Sequence, residues 1–395
     1  MKKKELYWIF TNIVVLLLGN YLLNNCSLPF TGSESTILKY YESFKSKNFP
    51  HTNKTNWEDS LFLINTCYDL ELIDYFGESE FQQGEIAITK RKDLYLFLKK
   101  AHELDNYRYI MLDLDIDEIE SPYNDSIKTL IMEMRDICIP RSHNFSVFDS
   151  RLDSKTGWVD YTTIPDETGF VKYELACDGM VSLPLKMYND LCKHNAFCKF
   201  GLLYFDNYTL CQKTIIPDFK IKFLISNSVN GKICRTQYEY HNLGADIIDG
   251  NNVADIENRI VVLGDFFSYD LHDTYVGKMP GAIINLNTFL NLAEGKHKIQ
   301  WGIVLIITFM YILMLIWTIR STVILKRITA LFPILTNIKK NKAVRLILTF
   351  CSLVFIFYVF SFILYLLFDY NYNAWFPVIW FTVVPRLIKV HKSQL

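Results

Sequence analysis

The chain has 395 residues and a formal net charge of −1 at pH 7, and half of its residues are hydrophobic. A balance this close to neutral provides no basic surface for nucleic acid, so we predict no nucleic-acid partner. The apolar residues are concentrated near the two ends of the chain, which predicts one large domain held in a lipid bilayer by apolar segments.

The first apolar segment, residues 6–25, predicts a transmembrane helix. Three lysines precede it, Lys2 to Lys4, and they place the N-terminus in the cytoplasm. A signal peptide is the alternative interpretation. We favour an uncleaved helix because the apolar run is long for a signal peptide and no small-x-small cleavage site follows it.

Residues 27–298 predict an extracytoplasmic α/β domain. Short apolar runs alternate with amphipathic segments, and this order of strand and helix is typical of a parallel sheet. The predicted strands are residues 60–65, 109–112, 157–161, 170–174, 219–225 and 260–263, and the predicted helices are residues 89–104, 124–138 and 183–193. The second pair of strands predicts an antiparallel hairpin. The fold class is therefore α/β, with a mixed, mainly parallel sheet that carries an antiparallel insertion, plus α-helical transmembrane segments.

Three more apolar segments follow residue 300. Residues 301–319 and 346–368 each reach the length of roughly 20 residues that a bilayer requires. Residues 373–388 form a shorter segment interrupted by Pro377. It is either a short transmembrane helix or a re-entrant segment, and we favour the helix.

Basic residues predict the orientation of these segments. The loop of residues 320–345 contains seven Lys or Arg residues and no acid, and the tail of residues 389–395 is also basic. Both are therefore predicted to be cytoplasmic. Four spans then place both termini inside the cell and residues 26–300 outside the cell membrane. The loop also fits an interfacial helix on anionic lipid, with ordinary positive-inside bias as the alternative.

One stretch connects a buried strand to the membrane. The apolar residues 260–263 lead into Gly264 and Asp265, and a polar loop follows. Met279, Pro280 and Gly281 then predict a rigid turn, because proline fixes its φ and glycine adopts backbone angles that other residues avoid. A helix over residues 283–292 follows. We predict that this coupling turn passes a movement of the loop to the membrane.

This stretch resembles the end of a CHASE domain of the second type. The resemblance lies in the run G-D-x4-D-x-H-x-T-x2-G-x-M-P-G, from Gly264 to Gly281, and in the order of one span, a large domain and a cluster of spans. CHASE domains are extracytoplasmic sensor modules in front of bacterial histidine kinases and nucleotide cyclases. This chain has Tyr275 where the family has proline, and Asn285 where the family has histidine. The resemblance implies signal input across a bacterial envelope.

Acidic residues predict a ligand site. Asp69, Asp113 and Asp265 follow three predicted strands, and ligands of open α/β sheets bind at the carboxyl ends of the strands. Carboxylates that lie together repel one another, so a cation, a protonated histidine, a lysine or protons must neutralise them. The alternative is that the acids are ordinary turn residues and that the histidine only holds the loop. The candidate ligand-binding residues are Asp113, Asp265, Asp270, His272 and Thr274.

The chain contains no recognised catalytic motif. We find no G-x-S-x-G, H-E-x-x-H, Walker-type or G-x-G-x-x-G sequence, and the cytoplasmic segments are too short for a kinase or cyclase. No catalytic residue or cofactor is predicted, although a divalent cation would suit the acids. We expect a membrane-bound sensor that signals through a separate membrane or cytoplasmic partner, as a monomer or a homo-oligomer. The alternatives are an envelope assembly factor and a membrane-anchored metal-dependent enzyme.

Overall fold

The structure is a computed structural model of the whole chain. It describes residues 3–25, 34–48, 57–75, 84–116, 121–141, 149–159, 172–177, 180–192, 197–228, 231–235, 238–267, 270–331, 342–370 and 372–383. The chain forms two compact units. The helical unit comprises residues 1–26, 198–212 and 298–395, and the α/β unit comprises residues 27–197 and 213–297.

The regular elements are numbered in chain order. The helices are α1 (Lys3–Asn24), α2 (Glu34–Asn48), α3 (Arg91–Leu104), α4 (Asn124–Glu133), α5 (Leu183–Cys192), α6 (Gly281–Ala293), α7 (Trp301–Leu331) and α8 (Lys342–Phe368). The strands are β1 (Leu61–Asn65), β2 (Leu70–Tyr75), β3 (Gly84–Thr89), β4 (Tyr109–Asp113), β5 (Ile137–Arg141), β6 (Thr156–Trp158), β7 (Tyr173–Glu174), β8 (Ala176–Cys177), β9 (Met180–Val181), β10 (Cys198–Phe200), β11 (Leu203–Asp206), β12 (Thr209–Cys211), β13 (Thr214–Ile215), β14 (Leu224–Ser228), β15 (Gly231–Arg235), β16 (Tyr240–Asn242), β17 (Ile260–Gly264), β18 (Leu271–Thr274) and β19 (Gly277–Pro280).

The α/β unit is built on a six-stranded sheet in the order β16-β1-β17-β4-β5-β6, and all of its strand pairs are parallel. The central strand β17 is buried at all five positions, as its run of β-branched residues predicts. Helix α3 covers this sheet with Leu94, Phe97, Leu98 and Ala101, which recur at helical spacing. Fully burying a Leu or Phe side chain stabilises the fold by about 1.5–3 kcal/mol.

Two sequence predictions about this sheet were wrong. The helix predicted over residues 124–138 ends at Glu133, and Cys138 lies in strand β5. Met134 has an extended backbone and ends the helix, and Pro140 disfavours a helical backbone at the residue before it. Within the described residues the predicted hairpin is not formed either, because β6 pairs in parallel with β5 and β7 pairs with β13, and residues 160–171 of that prediction lie outside them. The main sheet is therefore parallel, and the antiparallel pairs form separate small sheets.

A strand was also predicted over residues 219–225. In the structure, the strand begins only at Leu224. The irregular part packs against α6, which satisfies its backbone with side-chain amides. Asn287 donates from Nδ2 to the carbonyl of Ile221 (2.8 Å) and accepts from the Ile221 N–H (2.9 Å). Asn291 makes the same pair of bonds to Asp218, at 3.0 and 3.2 Å. The two asparagines, one helical turn apart, thus replace a neighbouring strand.

Three helices of the helical unit are long and apolar enough to cross a membrane, which is compatible with a membrane protein. The apolar stretches are Glu5–Asn24, Trp301–Thr318 and Ile347–Phe368. Helix α7 continues to Leu331, so the first part of the predicted 320–345 loop is helical. Residues 332–341 of that loop and the tail of residues 389–395 lie outside the described residues.

A further helical segment, residues 375–383, runs antiparallel to α1. The carbonyl of Asn373 accepts a hydrogen bond from Asn20, and Trp380 donates from Nε1 to Asn12. Between these contacts Phe376 lies against Gly19, where an added Cβ would come within 2.4 Å of the ring. The contacts span eight residues of α1, or about 12 Å. The described part of the predicted 373–388 span therefore runs from near the end of α1 to its middle.

Candidate functional site

The candidate site lies at the carboxyl ends of the three central strands. Asn65, Gly264 and Asp113 are the last residues of β1, β17 and β4, and they are paired directly across the sheet. Helix α6 begins over this edge. A Cβ on Gly264 would lie 2.8 Å from the Cβ of Ala282, so the glycine allows the helix to approach the central strand.

Asp113 is bonded to this helix. Its carboxylate accepts a hydrogen bond from Nδ2 of Asn285 in α6 (3.1 Å). The Oδ1 of Asn285 in turn accepts from the hydroxyl of Tyr173 (2.6 Å). Asn285 and Tyr173 are both buried. The amide of Asn285 is thus fixed in orientation, and it presents its donor to the carboxylate.

Asp270 and His272 form the outer part of the site. Oδ1 of Asp270 lies 2.7 Å from Nε2 of His272, and the two side chains are 41% and 28% exposed. The carbonyl of Asp270 accepts a hydrogen bond from the N–H of Gly281, the first residue of α6 (2.9 Å). We call the group formed by Asp113, Asp270, His272 and Asn285 the sheet-edge site.

Burial raises the pKa of Asp113 to about 7. The negative charge of Asp270 also contributes to this rise, and the bond from Asn285 and the charge of His272 act against it. Burial dominates because the surrounding protein solvates a carboxylate less well than water does. Asp113 therefore changes charge near neutral pH, so the site can respond to protons or to a cationic group.

The elevated pKa of Asp113 makes stability depend on pH. The folded protein holds this proton more tightly than the unfolded chain, whose pKa is near 3.8. The resulting stabilisation is fully present below about pH 4 and is lost as the pH rises through about 7. We expect the wild type to lose about 1–3 kcal/mol between pH 5 and pH 8.5, after solvent screening is allowed for. Urea-dependent pulse proteolysis of the full chain at both pH values measures this loss.

Asp113→Asn should remove this pH dependence, because the amide does not titrate. The exposed Asp255 provides the matched control, and Asp255→Asn should keep the slope of the wild type. An unchanged slope in Asp113→Asn would show that another group is responsible.

Two other candidate residues hold the backbone near the site. Oδ1 of Asp265 accepts a hydrogen bond from the N–H of Phe267 (2.8 Å). The hydroxyl of Thr274 donates to the carbonyl of Gly277 (2.6 Å) and closes the turn between β18 and β19. These contacts fit the alternative interpretation, in which Asp265 and Thr274 shape the loop.

Asp69 is separate from the sheet-edge site. Its carboxylate lies against the Cα of Gly244. The pKa of Asp93 is raised mainly by burial; the charge of Lys90 lowers it, and the negative charge of Asp69 adds a smaller rise. The predicted acidic set therefore divides into two groups. Among the described residues, no three His, Cys, Asp or Glu side chains have the spacing of a metal site.

The predicted coupling turn is a strand that runs into a helix. Met279 and Pro280 end β19, which pairs with β18, and Gly281 begins α6. Pro280 has an extended backbone, and Gly281 is not among the glycines of positive φ. The conformational reason given for Gly281 was therefore wrong. A Cβ at Gly281 would lie 2.1 Å from Oδ2 of Asp270, so the glycine leaves room for that carboxylate.

Gly281→Val should turn the Asp270 side chain away and break its pair with His272. A carboxylate at the end of a side chain moves readily, so we expect a loss of only about 1 kcal/mol of stability. The larger expected effect is a change in the NMR signals of the His272 ring, since the ring loses its hydrogen bond to Asp270. Gly302→Ala is the control, because no atom lies within 4 Å of a Cβ at Gly302. Unchanged NMR signals of the His272 ring would contradict this arrangement.

The sequence missed the residues that organise the site. Asn285 was noted only where the resembled family has histidine, and neither Tyr173 nor Asn65 was singled out. Asn65 bonds through Oδ1 to the N–H groups of Cys67 and Phe266, and so joins the loops after β1 and β17. The sequence feature that could have identified Asn65 is an asparagine at the end of a predicted buried strand.

Comparison of the chain with protein-family models, curated proteins and solved structures found no match. The resemblance to a CHASE domain stays a prediction from the sequence.

Proposed function

We propose that this protein is an extracytoplasmic sensor of the bacterial inner membrane that acts through a separate partner protein. The observation that carries the proposal is the bond between Asp113 and Asn285, which joins the sheet-edge site to α6. A change in the charge of Asp113 alters the contact that holds the first turns of this helix. Helix α6 leads along the chain to α7, the second proposed membrane span.

The connection from α6 to α7 is short and comprises residues 294–300. In the α/β unit, Nζ of Lys296 lies 2.8 Å from Oδ2 of Asp218. In the helical unit, the N–H of Ile299 donates to the carbonyl of Leu210 (2.9 Å). Each unit fastens its own part of the connection, and the chain passes from one unit to the other between residues 297 and 298. This arrangement supports transmission of a movement of α6 to α7.

The proposed topology has four spans, cytoplasmic termini and an extracytoplasmic α/β unit. We expect a membrane-impermeant maleimide to label a cysteine at Ser150 from outside, above the labelling of the natural chain. Cysteines at Leu335 and Ser393 should react only after the membrane is opened. The position 393 result tests the fourth span, because labelling from outside would make residues 375–383 part of a re-entrant segment.

Hydrogen exchange of the full chain in lipid nanodiscs tests the sensor role. We expect the amides of α6 and of residues 294–300 to exchange faster at pH 8 than at pH 6, after correction for intrinsic rates. This difference should be absent from Asp113→Asn and kept in Asp255→Asn. Exchange that is independent of pH in the wild type would contradict a sensing role for this site.

Affinity purification from native membranes at both pH values separates a sensor from an assembly factor. A sensor should retain a partner whose yield changes with pH in the wild type and not in Asp113→Asn. An assembly factor should retain its partner equally under all four conditions.

A further inference from the structure

The helical unit contains a small sheet that sequence patterns did not indicate. Strands β10, β11 and β12 form an antiparallel meander over residues 198–212, which we call the meander. Along the chain it lies between α5 and β13 of the α/β unit. It belongs to the helical unit because it contacts the helical segments of that unit.

The meander is fastened to the end of α1. Tyr21, in the last turn of α1, donates from its hydroxyl to the carbonyl of Cys211 (3.1 Å). The same hydroxyl accepts from the N–H of Tyr204 (2.9 Å). One side chain thus binds both β11 and β12 at a paired position, because Tyr204 and Cys211 are partners across the meander.

The meander is also fastened to the residues beside the other two helices. Lys298, three residues before α7, pairs with Cys211 through the backbone and with the buried Asp206 through an ion pair of 2.9 Å. Tyr370, two residues after α8, hydrogen-bonds to Gln212. The meander therefore lies at the end of the bundle where α1 ends, α7 begins and α8 ends. In the proposed topology this is the extracytoplasmic end.

The exposed apolar surface of α7 begins at this same end of the bundle. Trp301, Leu305, Phe309, Leu313 and Trp317 recur every four residues, and their exposed fractions range from 47% to 72%. Tryptophan at each end of an apolar stripe is typical of the two membrane interfaces. Since Ile299 is bonded to Leu210 of β12, the meander is within two residues of the outer tryptophan.

The turns of the meander expose large apolar side chains. Phe200 and Leu202 flank the turn at Gly201 and are 78% and 61% exposed, and Tyr208 in the other turn is fully exposed. Lys199 is also exposed and lies over the ring of Tyr204, 5.9 Å from its centroid. Aromatic side chains with a neighbouring cation suit the boundary between lipid headgroups and acyl chains.

We propose that the meander rests in the headgroup layer of the outer leaflet, with Phe200, Leu202 and Tyr208 in contact with lipid. The inference rests on the proposed membrane anchorage. It adds a lipid contact from the middle of the sensor region, so that lipid composition or tension acts on the chain between α5 and β13. The exposed stripe of α7 begins at Trp301, two residues from the hydrogen bond between Ile299 and the meander, which favours a bilayer over a protein as the occupant.

Photo-crosslinking of the full chain in phosphatidylcholine–phosphatidylglycerol vesicles tests the inference. p-Benzoylphenylalanine is placed singly at Phe200, Leu202 or Tyr208, at Phe309 as the span control, and at Leu104 of the α/β unit as the exposed control. We expect illumination to add the mass of one phospholipid at the three meander positions and at Phe309. Leu104 should gain no lipid.

The outcomes separate this inference from the proposed anchorage. Lipid adducts at Phe309 without any at the meander positions would overturn the inference and leave the anchorage standing. A crosslink from Phe200 or Tyr208 to a second copy of the chain would also overturn it. Absence of lipid at Phe309 would count against the spans themselves. Each variant is checked for folding by comparing its resistance to protease with that of the wild type.

Discussion

Replacing Asn287 by leucine is expected to lower the free energy of unfolding by about 2–5 kcal/mol, because two buried backbone groups lose their partners. The amide of Asn287 bonds to both the N–H and the carbonyl of Ile221, and both residues are fully buried. Leucine is similar in size and cannot form either bond. Pulse proteolysis of the full chain in urea measures the loss.

Asn48 provides the control for this substitution. It also lies in a helix and its amide bonds to a carbonyl, that of Phe44, but the residue is exposed. Asn48→Leu should change stability by less than about 0.5 kcal/mol, since water replaces the lost bond. Equal effects of the two substitutions would mean that the bonds to Ile221 contribute little.

Gly157→Ala is expected to destabilise the α/β unit by about 3 kcal/mol, at the upper end of the usual cost of overpacking. A Cβ at Gly157, in the edge strand β6, would lie 2.4 Å from the Cα and 2.6 Å from the N of Leu183. These are backbone atoms at the start of α5, so a rotamer change cannot relieve the clash. The whole N-terminus of α5 would have to move away from the sheet.

The same substitution at Gly302 provides the control, because a Cβ there has open space around it. Gly302→Ala should be neutral or stabilising by up to about 1 kcal/mol, the ordinary difference in helix propensity. The two variants are compared by the urea concentration at which half of the chain resists a protease pulse. A Gly157→Ala midpoint equal to that of the wild type would mean that β6 does not pack on α5 as described.

The acidic residues show how much of the site could be predicted from their positions at the ends of strands. Parallel strands bring their last residues to the same end of the sheet, and Asp113 is paired there with Gly264, the last residue of β17. Asp69 follows β1 in the same way, yet its chain turns toward Gly244. Which strand-end acids meet depends on the path of each loop, and the loop path is set by contacts between residues distant in the chain.

By itself, the sequence determined the elements whose side chains repeat a clear pattern. The β-branched run of β17, the apolar face of α3 and the three long apolar helices are set by local periodicity and by the transfer of apolar groups from water. Only the tertiary structure decided the parallel pairing of β6, the bonds from Asn287 and Asn291 to the backbone, and the place of the meander in the helical unit. Each of these depends on partners tens to hundreds of residues away in the chain. A buried backbone N–H or carbonyl requires a hydrogen-bond partner, and either a neighbouring strand or a side-chain amide can provide it.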